Sequence, residues 1–366
     1  LGEVPVHVLV ASAGFALGAV FGVTVHRSNF CMMGAVADLT IAGNATRMRA
    51  WLLAIAVAVL ATQGLQLLGV VDLGSAFYLS ARLLWAGNLL GGLLFGFGMV
   101  IACGCPSRSL VNLGTGDLRA LVSLTFLAIT ATMTLHGLTG LARLGLERAT
   151  ALDLAASGLP SQGLVELGAA RLGIDPGPLR AAAALLVAGT LLWVALRDAA
   201  LRRERGYLAG ACLVGLSVGA GWVITGVLGA DEFEPAALGS LTFVRPVGDA
   251  LQYLMTFTGS QANFGIGLVG GVLAGAFGSA LASGRLHLQA FEDVRDLARY
   301  MVGGALMGLG GVSALGCTVG QGITGVSTLA LGSLLALVAI IAGGVLGARY
   351  LEQGSLAGAL RATLGR

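Results

Sequence analysis

The chain has 366 residues, of which 56% are hydrophobic and 11% charged, and its formal net charge is +3. Its mean hydropathy of +0.89 excludes the polar shell of a soluble domain, for which about 25% charged residues is usual, and the scattered charge offers no basic stripe for nucleic acid. Every base is arginine, and without lysine there is neither a Walker A phosphate loop nor a Schiff-base attachment for retinal or pyridoxal phosphate.

Runs near or above the roughly 20 apolar residues that span a bilayer predict helices over 4–25, 48–71, 83–103, 118–140, 179–197, 206–230, 261–283, 300–315 and 328–350. The first leads into further membrane sequence, so it reads as a span and not as a cleavable signal peptide. Four apolar stretches with polar or glycine breaks, at 28–45, 104–116, 243–258 and 316–327, are too short to cross. Irregular backbone survives at membrane depth only where protein or a water-filled cavity satisfies it. These stretches are therefore expected as re-entrant loops or half-helices lining a path. Residues 141–178 carry Arg143, Glu147, Arg148, Asp153, Glu166, Arg171 and Asp175 before Pro176 and Pro178; they predict an extramembrane connection with an amphipathic helix. The cluster Arg197, Arg202, Arg203 and Arg205 marks a cytoplasmic loop by the positive-inside rule. Segment 285–299 has the periodicity and mixed charge of a surface helix.

Glycine is used 59 times, with Gly14, Gly18 and Gly22, and again Gly267, Gly271 and Gly275, spaced by four. Small residues at that spacing let helix backbones approach closely. The chain also repeats itself. GGLLFGFGMVIACGC (91–105) set over GGALMGLGGVSALGC (303–317) is identical at nine of fifteen positions, with Cys105 on Cys317. A weaker match pairs 17–35 with 213–231. Broken helices at corresponding positions of two halves point to a transporter site at the repeat interface. The expected fold is all-α: a polytopic helical membrane protein with about nine transmembrane helices, re-entrant loops and two inverted pseudo-symmetric halves. We place the first repeat at 1–140, a connector at 141–205 and the second repeat at 206–366.

Five cysteines, Cys31, Cys103, Cys105, Cys212 and Cys317, lie dispersed in apolar surroundings, unlike an extracellular disulfide framework. A single cysteine is by default a small buried hydrophobe, and Cys212 reads so. Cys105 and Cys317 differ because both end a glycine-rich helix in a Gly-Cys step. Gly104, Gly316 and Gly320 beside them are candidate backbone donors to an anion, helped by the positive end of a following helix. Cys31 follows Arg27, Ser28 and Asn29. A charge at membrane depth is a functional hypothesis; the plainer reading of Arg27, and equally of Arg108, is a side chain that snorkels to the surface. His7, His26, His136 and His287 show no paired spacing, so no metal site is expected. Only His26 lies near a cysteine as a base, which argues against a thiol enzyme. No cofactor is expected.

At SNFCMMGAVAD (28–38), GFGMVIACGCP (96–106) and GGALMGLGGVSALGCTVGQGITG (303–325) the sequence resembles the YeeE/YedE family of bacterial membrane proteins, over most of its length. The resemblance implies nine membrane helices, four loops penetrating from both sides, and pseudo-symmetric halves. It also implies a central path whose characteristic cysteines match Cys31, Cys105 and Cys317. The function it implies is uptake of thiosulfate by a multi-pass protein of the bacterial inner membrane, embedded in lipid, with a small TusA-like sulfur-carrier protein as partner on the cytoplasmic side. Transport of a selenium species, or relay of sulfur as persulfide to such a carrier, is the alternative. Residues 141–178 and Cys103 lie outside the family pattern. The physics suits thiols. A dianion in hydrocarbon faces a Born cost of tens of kcal/mol, yet several fixed positive charges would hold it too tightly to conduct. A neutral S–H is a weak donor that meets a sulfur acceptor without trapping it.

Overall fold

The computed structural model of the protein describes residues 5–231 and 235–363. Apolar runs of membrane length satisfy their backbone only as helices, and the elements follow accordingly. They are α1 Val6–Ser28, α2 Met32–Thr40, α3 Thr46–Leu67, α4 Trp85–Ile101, α5 Pro106–Gly114, α6 Leu118–His136, α7 Leu138–Thr150, α8 Leu164–Leu172, α9 Pro176–Leu196, α10 Ala199–Arg203, α11 Arg205–Val223, α12 Val244–Met255, α13 Phe264–Ala282, α14 Val294–Ser313, α15 Leu331–Gln353 and α16 Leu356–Thr363. Among the described residues, eight spans are long and apolar enough to cross a membrane. The ninth expected span is α14. Arg295, Asp296 and Arg299 open it, and its remainder packs against α4 and α6. All nine expected helices are present; the expected start of the first at Val4 lies outside the described residues.

Helix direction can be read from backbone approaches that only glycine permits. Gly18 lies on Leu268 and Gly22 on Val272, so α1 and α13 run in the same direction. Gly215 on Ala54 and Gly219 on Ala61 do the same for α3 and α11. Gly92 and Gly96 meet Ala336 and Ile340, which makes α4 and α15 parallel, and Gly304 and Gly308 meet Ser123 and Leu127, which makes α6 and α14 parallel. By contrast Gly91 meets Gly310 and Gly98 meets Gly303, so α4 and α14 are antiparallel. Exchanging α1 with α11, α3 with α13, α4 with α14 and α6 with α15 converts each of these packings into another. The antiparallel mates make this an inverted repeat, with its pseudo-two-fold axis in the membrane plane.

Four re-entrant segments complete the two halves. The half-helices α2, α5 and α12, and a tight turn over Gly320–Gly325, start inside the protein. The same exchange relates them. α2 packs on α3 and α15 while α12 packs on α13 and α6; α5 packs on α13 and α6 while the Gly320–Gly325 turn packs on α3 and α15. α2 and α5 return to the face on which α3, α6, α11 and α14 begin. That face carries Arg47, Arg49, Arg119, Arg202 and Arg203, and Arg49 is paired there with Asp198. We call it the arginine-rich face.

Two expectations need correction. The expected helix over 285–299 is extended from 285 to 293. Its backbone is bonded to the turn after α5: His287 N–H donates to Thr115 O (3.3 Å), Gln289 N–H to Gly116 O (3.0 Å), and Leu118 N–H to Gln289 O (2.9 Å). Groups committed to that turn cannot bond within a helix, so α14 starts only after Asp293, whose carboxylate caps Arg295 N–H at 3.2 Å. The helix expected over 118–140 stops at His136. Gly137, extended at φ −113° and ψ −156°, breaks it before α7.

On the opposite face, the segment between α6 and α9 is latched to the fourth re-entrant segment. Leu164 N–H donates to Leu329 O (3.0 Å) and Leu331 N–H to Gln162 O (3.0 Å). Below this, buried Arg180 is paired with Glu166 and donates to Gln63 Oε1 at 3.1 Å. Gln63 Nε2 in turn donates to Ser327 O at 2.7 Å, and Thr62 bonds the Ser327 hydroxyl at 2.9 Å.

Removing one member of a buried ion pair strands the other. Glu166→Ala is therefore expected to cost on the order of 3 kcal/mol, read as a lower thermal midpoint in detergent; an unchanged midpoint would show that the latch carries no stability. Helix contact makes a second demand. A Cβ on Gly271 would overlap the Phe15 carbonyl oxygen, whereas one on Gly278 would meet nothing within 4 Å. Gly271→Leu should destabilise by about 1–3 kcal/mol or more, and Gly278→Leu should be neutral in the same assay.

Candidate functional site

The Gly-Cys repeat is a helix stop followed by a helix start. α4 ends with Cys103 in the left-handed region at φ 54°. Cys103 N–H bonds Val100 O (3.1 Å) and Gly104 N–H bonds Met99 O (2.9 Å). α14 ends identically, with Leu315 at φ 60°, Leu315 N–H on Val312 O (3.1 Å) and Gly316 N–H on Gly311 O (2.7 Å). This is the Schellman pattern, which satisfies the last carbonyls of a helix. Gly104 and Gly316 thus spend their N–H groups in closing helices. The next residue in each repeat is the cysteine.

That cysteine opens the following element. Cys105 precedes α5, whose first residue is Pro106, and proline suits the first helical position because its missing N–H has no partner there anyway. The Cys105 Sγ lies 3.3 Å from Ser107 Oγ. Cys317 precedes the fourth re-entrant turn, and its Sγ accepts Gly320 N–H at 3.3 Å. Cys31 caps α2, with its Sγ accepting Gly34 N–H at 3.5 Å. It is preceded by Asn29 at φ 50°, where α1 ends. The residue that opens α12 is Phe243, so three of the four re-entrant segments begin at a thiol and the fourth at an aromatic ring packed on Phe21 (5.2 Å between centroids).

These three thiols come together. Cys105 is close enough to interact electrostatically with both Cys31 and Cys317. The three are 8%, 1% and 0% exposed for Cys31, Cys105 and Cys317, which places them in the buried core of the protein. The other two cysteines stand apart. Cys212 is half-buried on α11, and Cys103 accepts a hydrogen bond from Arg299 at 3.7 Å. All five thiols are free. Arg27 is exposed at the end of α1. Arg108 is half-buried, donating to Asn29 Oδ1 (3.2 Å) and Val25 O (3.5 Å).

Sequence reasoning missed several neighbours of the thiols. Tyr78 is buried close to Cys317, but it comes from the loop after α3, where nothing local signals it. Thr318 and Gln321 lie inside the GCTVGQG motif, where their polarity was the available signal. The Thr318 hydroxyl has no partner among the described residues, and Gln321 spends its amide on Ala314 O (2.7 Å) while its Oε1 is unpaired. Such buried polar atoms can meet a passing polar solute.

Two vestibules flank the thiols. On the arginine-rich face a cavity of about 270 Å³ is lined by residues including Asn29 and Arg108, two and three residues from Cys31 and Cys105. On the opposite face a cavity of about 420 Å³ is lined by residues including Thr242 and Arg245, which flank Phe243. The thiols lie between the two, where the re-entrant segments begin.

Comparison with known proteins fits this geometry. The chain is 26% identical to the thiosulfate transporter TsuA of Escherichia coli K12 over 332 residues, covering 85% of this chain and 86% of that protein. It is 27% identical to the thiosulfate transporter TsuA of Spirochaeta thermophila over 322 residues, 86% and 91% of the two chains. A shorter stretch of 92 residues, 25% of this chain and 21% of its counterpart, is 37% identical to the probable transporter YedE of Salmonella typhimurium. The family model described as sulphur transport matches residues 27–346; with its spanning helices, inverted halves and central thiols, the chain belongs to that family of membrane transport proteins.

Proposed function

We propose that this protein carries thiosulfate across the bacterial inner membrane, past Cys31, Cys105 and Cys317, from the connector face to the arginine-rich face. The observation that carries the reading is the convergence of the three cysteines at the inner ends of re-entrant segments that belong to inverted repeats. Half-helix N-termini present partial positive charge to an anion without the fixed full charges that would arrest it. A thiol adds a weak donor that can address the terminal sulfur. The similarity to two TsuA proteins named as thiosulfate transporters supports the substrate. The concentration of arginine at the end of α9 and the starts of α3, α11 and α14 supports a cytoplasmic assignment for that face. A TusA-like sulfur carrier would receive the product there.

Proteoliposomes containing only this protein should take up radiolabelled thiosulfate, and their failure to do so with folded protein would defeat the reading. Cys105→Ala should abolish that uptake with an unchanged thermal midpoint, because one small apolar group replaces another. Cys212→Ala should transport normally. Cys105→Ser keeps a donor but cannot carry a persulfide, so activity in that variant favours hydrogen-bonded passage over covalent relay. If Cys105→Ala transports normally, the thiol path is wrong.

Selectivity supplies an independent check. Sulfate matches thiosulfate in charge but lacks its soft terminal sulfur. At the external face, unlabelled thiosulfate should compete for uptake at least about tenfold better than sulfate, the worth of one modest hydrogen bond. Equal inhibition would mean that only the oxyanion end is read.

A further inference from the structure

The two vestibules open on opposite faces, and their described walls differ in charge. In the larger one Arg245 is paired with Asp249 at 3.5 Å, so its walls are close to neutral among the described residues. The smaller one, on the arginine-rich face, is lined by His26, Arg108, Arg285, His287 and Gln289, with Asp117 as its single acid among the described residues. Asp117 is already committed: Arg119 Nε donates to its Oδ1 at 2.8 Å and Arg119 Nη2 to its Oδ2 at 3.0 Å. Among the described residues neither Arg108 nor Arg285 has a carboxylate within 4.0 Å. Two guanidinium groups therefore share one cavity of about 270 Å³ without a counter-charge.

We propose that this vestibule is a separate oxyanion site, which holds a small divalent oxyanion between Arg108 and Arg285 by charge alone. The Arg108 guanidinium and the Arg285 backbone are held in place. Arg108 is tethered through Asn29 Oδ1 and Val25 O, which occupy two of the five N–H donors of a guanidinium. Arg285 opens the extended segment that is bonded to Thr115 and Gly116, and its carbonyl oxygen lies 2.8 Å from His287 Nδ1. Two like charges facing one cavity repel, and a dianion between them converts that repulsion into attraction. No thiol lines the cavity, so nothing in it addresses a soft sulfur atom. The site reads sulfate and thiosulfate alike, whereas the thiols distinguish them. Its place in a transport cycle rests on the reading above: the dianion that has passed the thiols is held here before release, and sulfate on the same side competes for the position.

The test is equilibrium binding of radiolabelled sulfate to the purified full chain in detergent. The wild-type protein should bind sulfate, and thiosulfate should displace it with similar affinity. Arg285 is exposed, so Arg285→Gln leaves the fold intact; it should weaken binding about tenfold at low salt. Arg285→Lys should retain most of the affinity, and Arg245→Gln in the opposite vestibule should not alter it. Absence of sulfate binding by the wild-type protein, or equal affinity in Arg285→Gln, overturns the site. Uptake by proteoliposomes separates the two claims. Thiosulfate transport with sulfate binding indifferent to Arg285 removes the site and leaves transport standing. Arg285-dependent sulfate binding without any transport does the reverse.

Discussion

A helix broken inside a membrane releases backbone groups that lipid cannot satisfy, and the rest of this structure follows from how that demand is met. α4 and α14 end in the same pair of bonds, closed by Cys103 with Gly104 and by Leu315 with Gly316. Each stop satisfies its own carbonyls and turns the chain so that the next residue opens a new element. That residue is Cys105 or Cys317. The position of the thiols is thus a by-product of helix termination. A cysteine there is small enough for the crowded turn and can also accept a bond from the following backbone N–H, as Cys31 and Cys317 do.

The breaks need protein around them, and close helix packing supplies it. Glycine faces bring α1 onto α13, α4 onto α15 and α14 onto α4 at backbone contact. Without a hydrophobic drive between helices in lipid, such contact is a main source of association. It also carries the inversion. The same close packings recur in both halves with the helices reversed, so re-entrant segments enter from both faces and their inner ends meet. The halves have diverged at that meeting point, where Phe243 stands in the position that Cys31 holds in the other half.

Charge is distributed over this scaffold by a different rule. Buried ionic groups are tolerated where they are paired, as Arg180 is with Glu166 beneath the connector. That pair reaches through Gln63 to Ser327, ten residues from Cys317. The connector therefore braces the fourth re-entrant segment. On the arginine-rich face, Arg108 and Arg285 line a cavity that adjoins the thiols, and its acid Asp117 is paired with Arg119. The two ends of the path differ in the charge of their described walls.

The sequence alone determined the membrane class, the nine helices and the four re-entrant stretches, because each depends on the local length and composition of an apolar run. Its Gly-Cys repeat also revealed the two halves and marked Cys105 and Cys317. Periodicity failed at 285–293, where bonds to residues 115–118 outweigh a helical pattern. Tertiary structure alone decided which groups meet. Cys31 and Cys317 are far apart in the chain, yet both neighbour Cys105. Cys103, two residues from Cys105, faces Arg299 instead, because its own left-handed backbone turns the chain. The roles of Tyr78, Phe243 and Arg285 were hidden for the same reason: each acquires its neighbours only when distant helices pack, and no pattern along the chain records that contact.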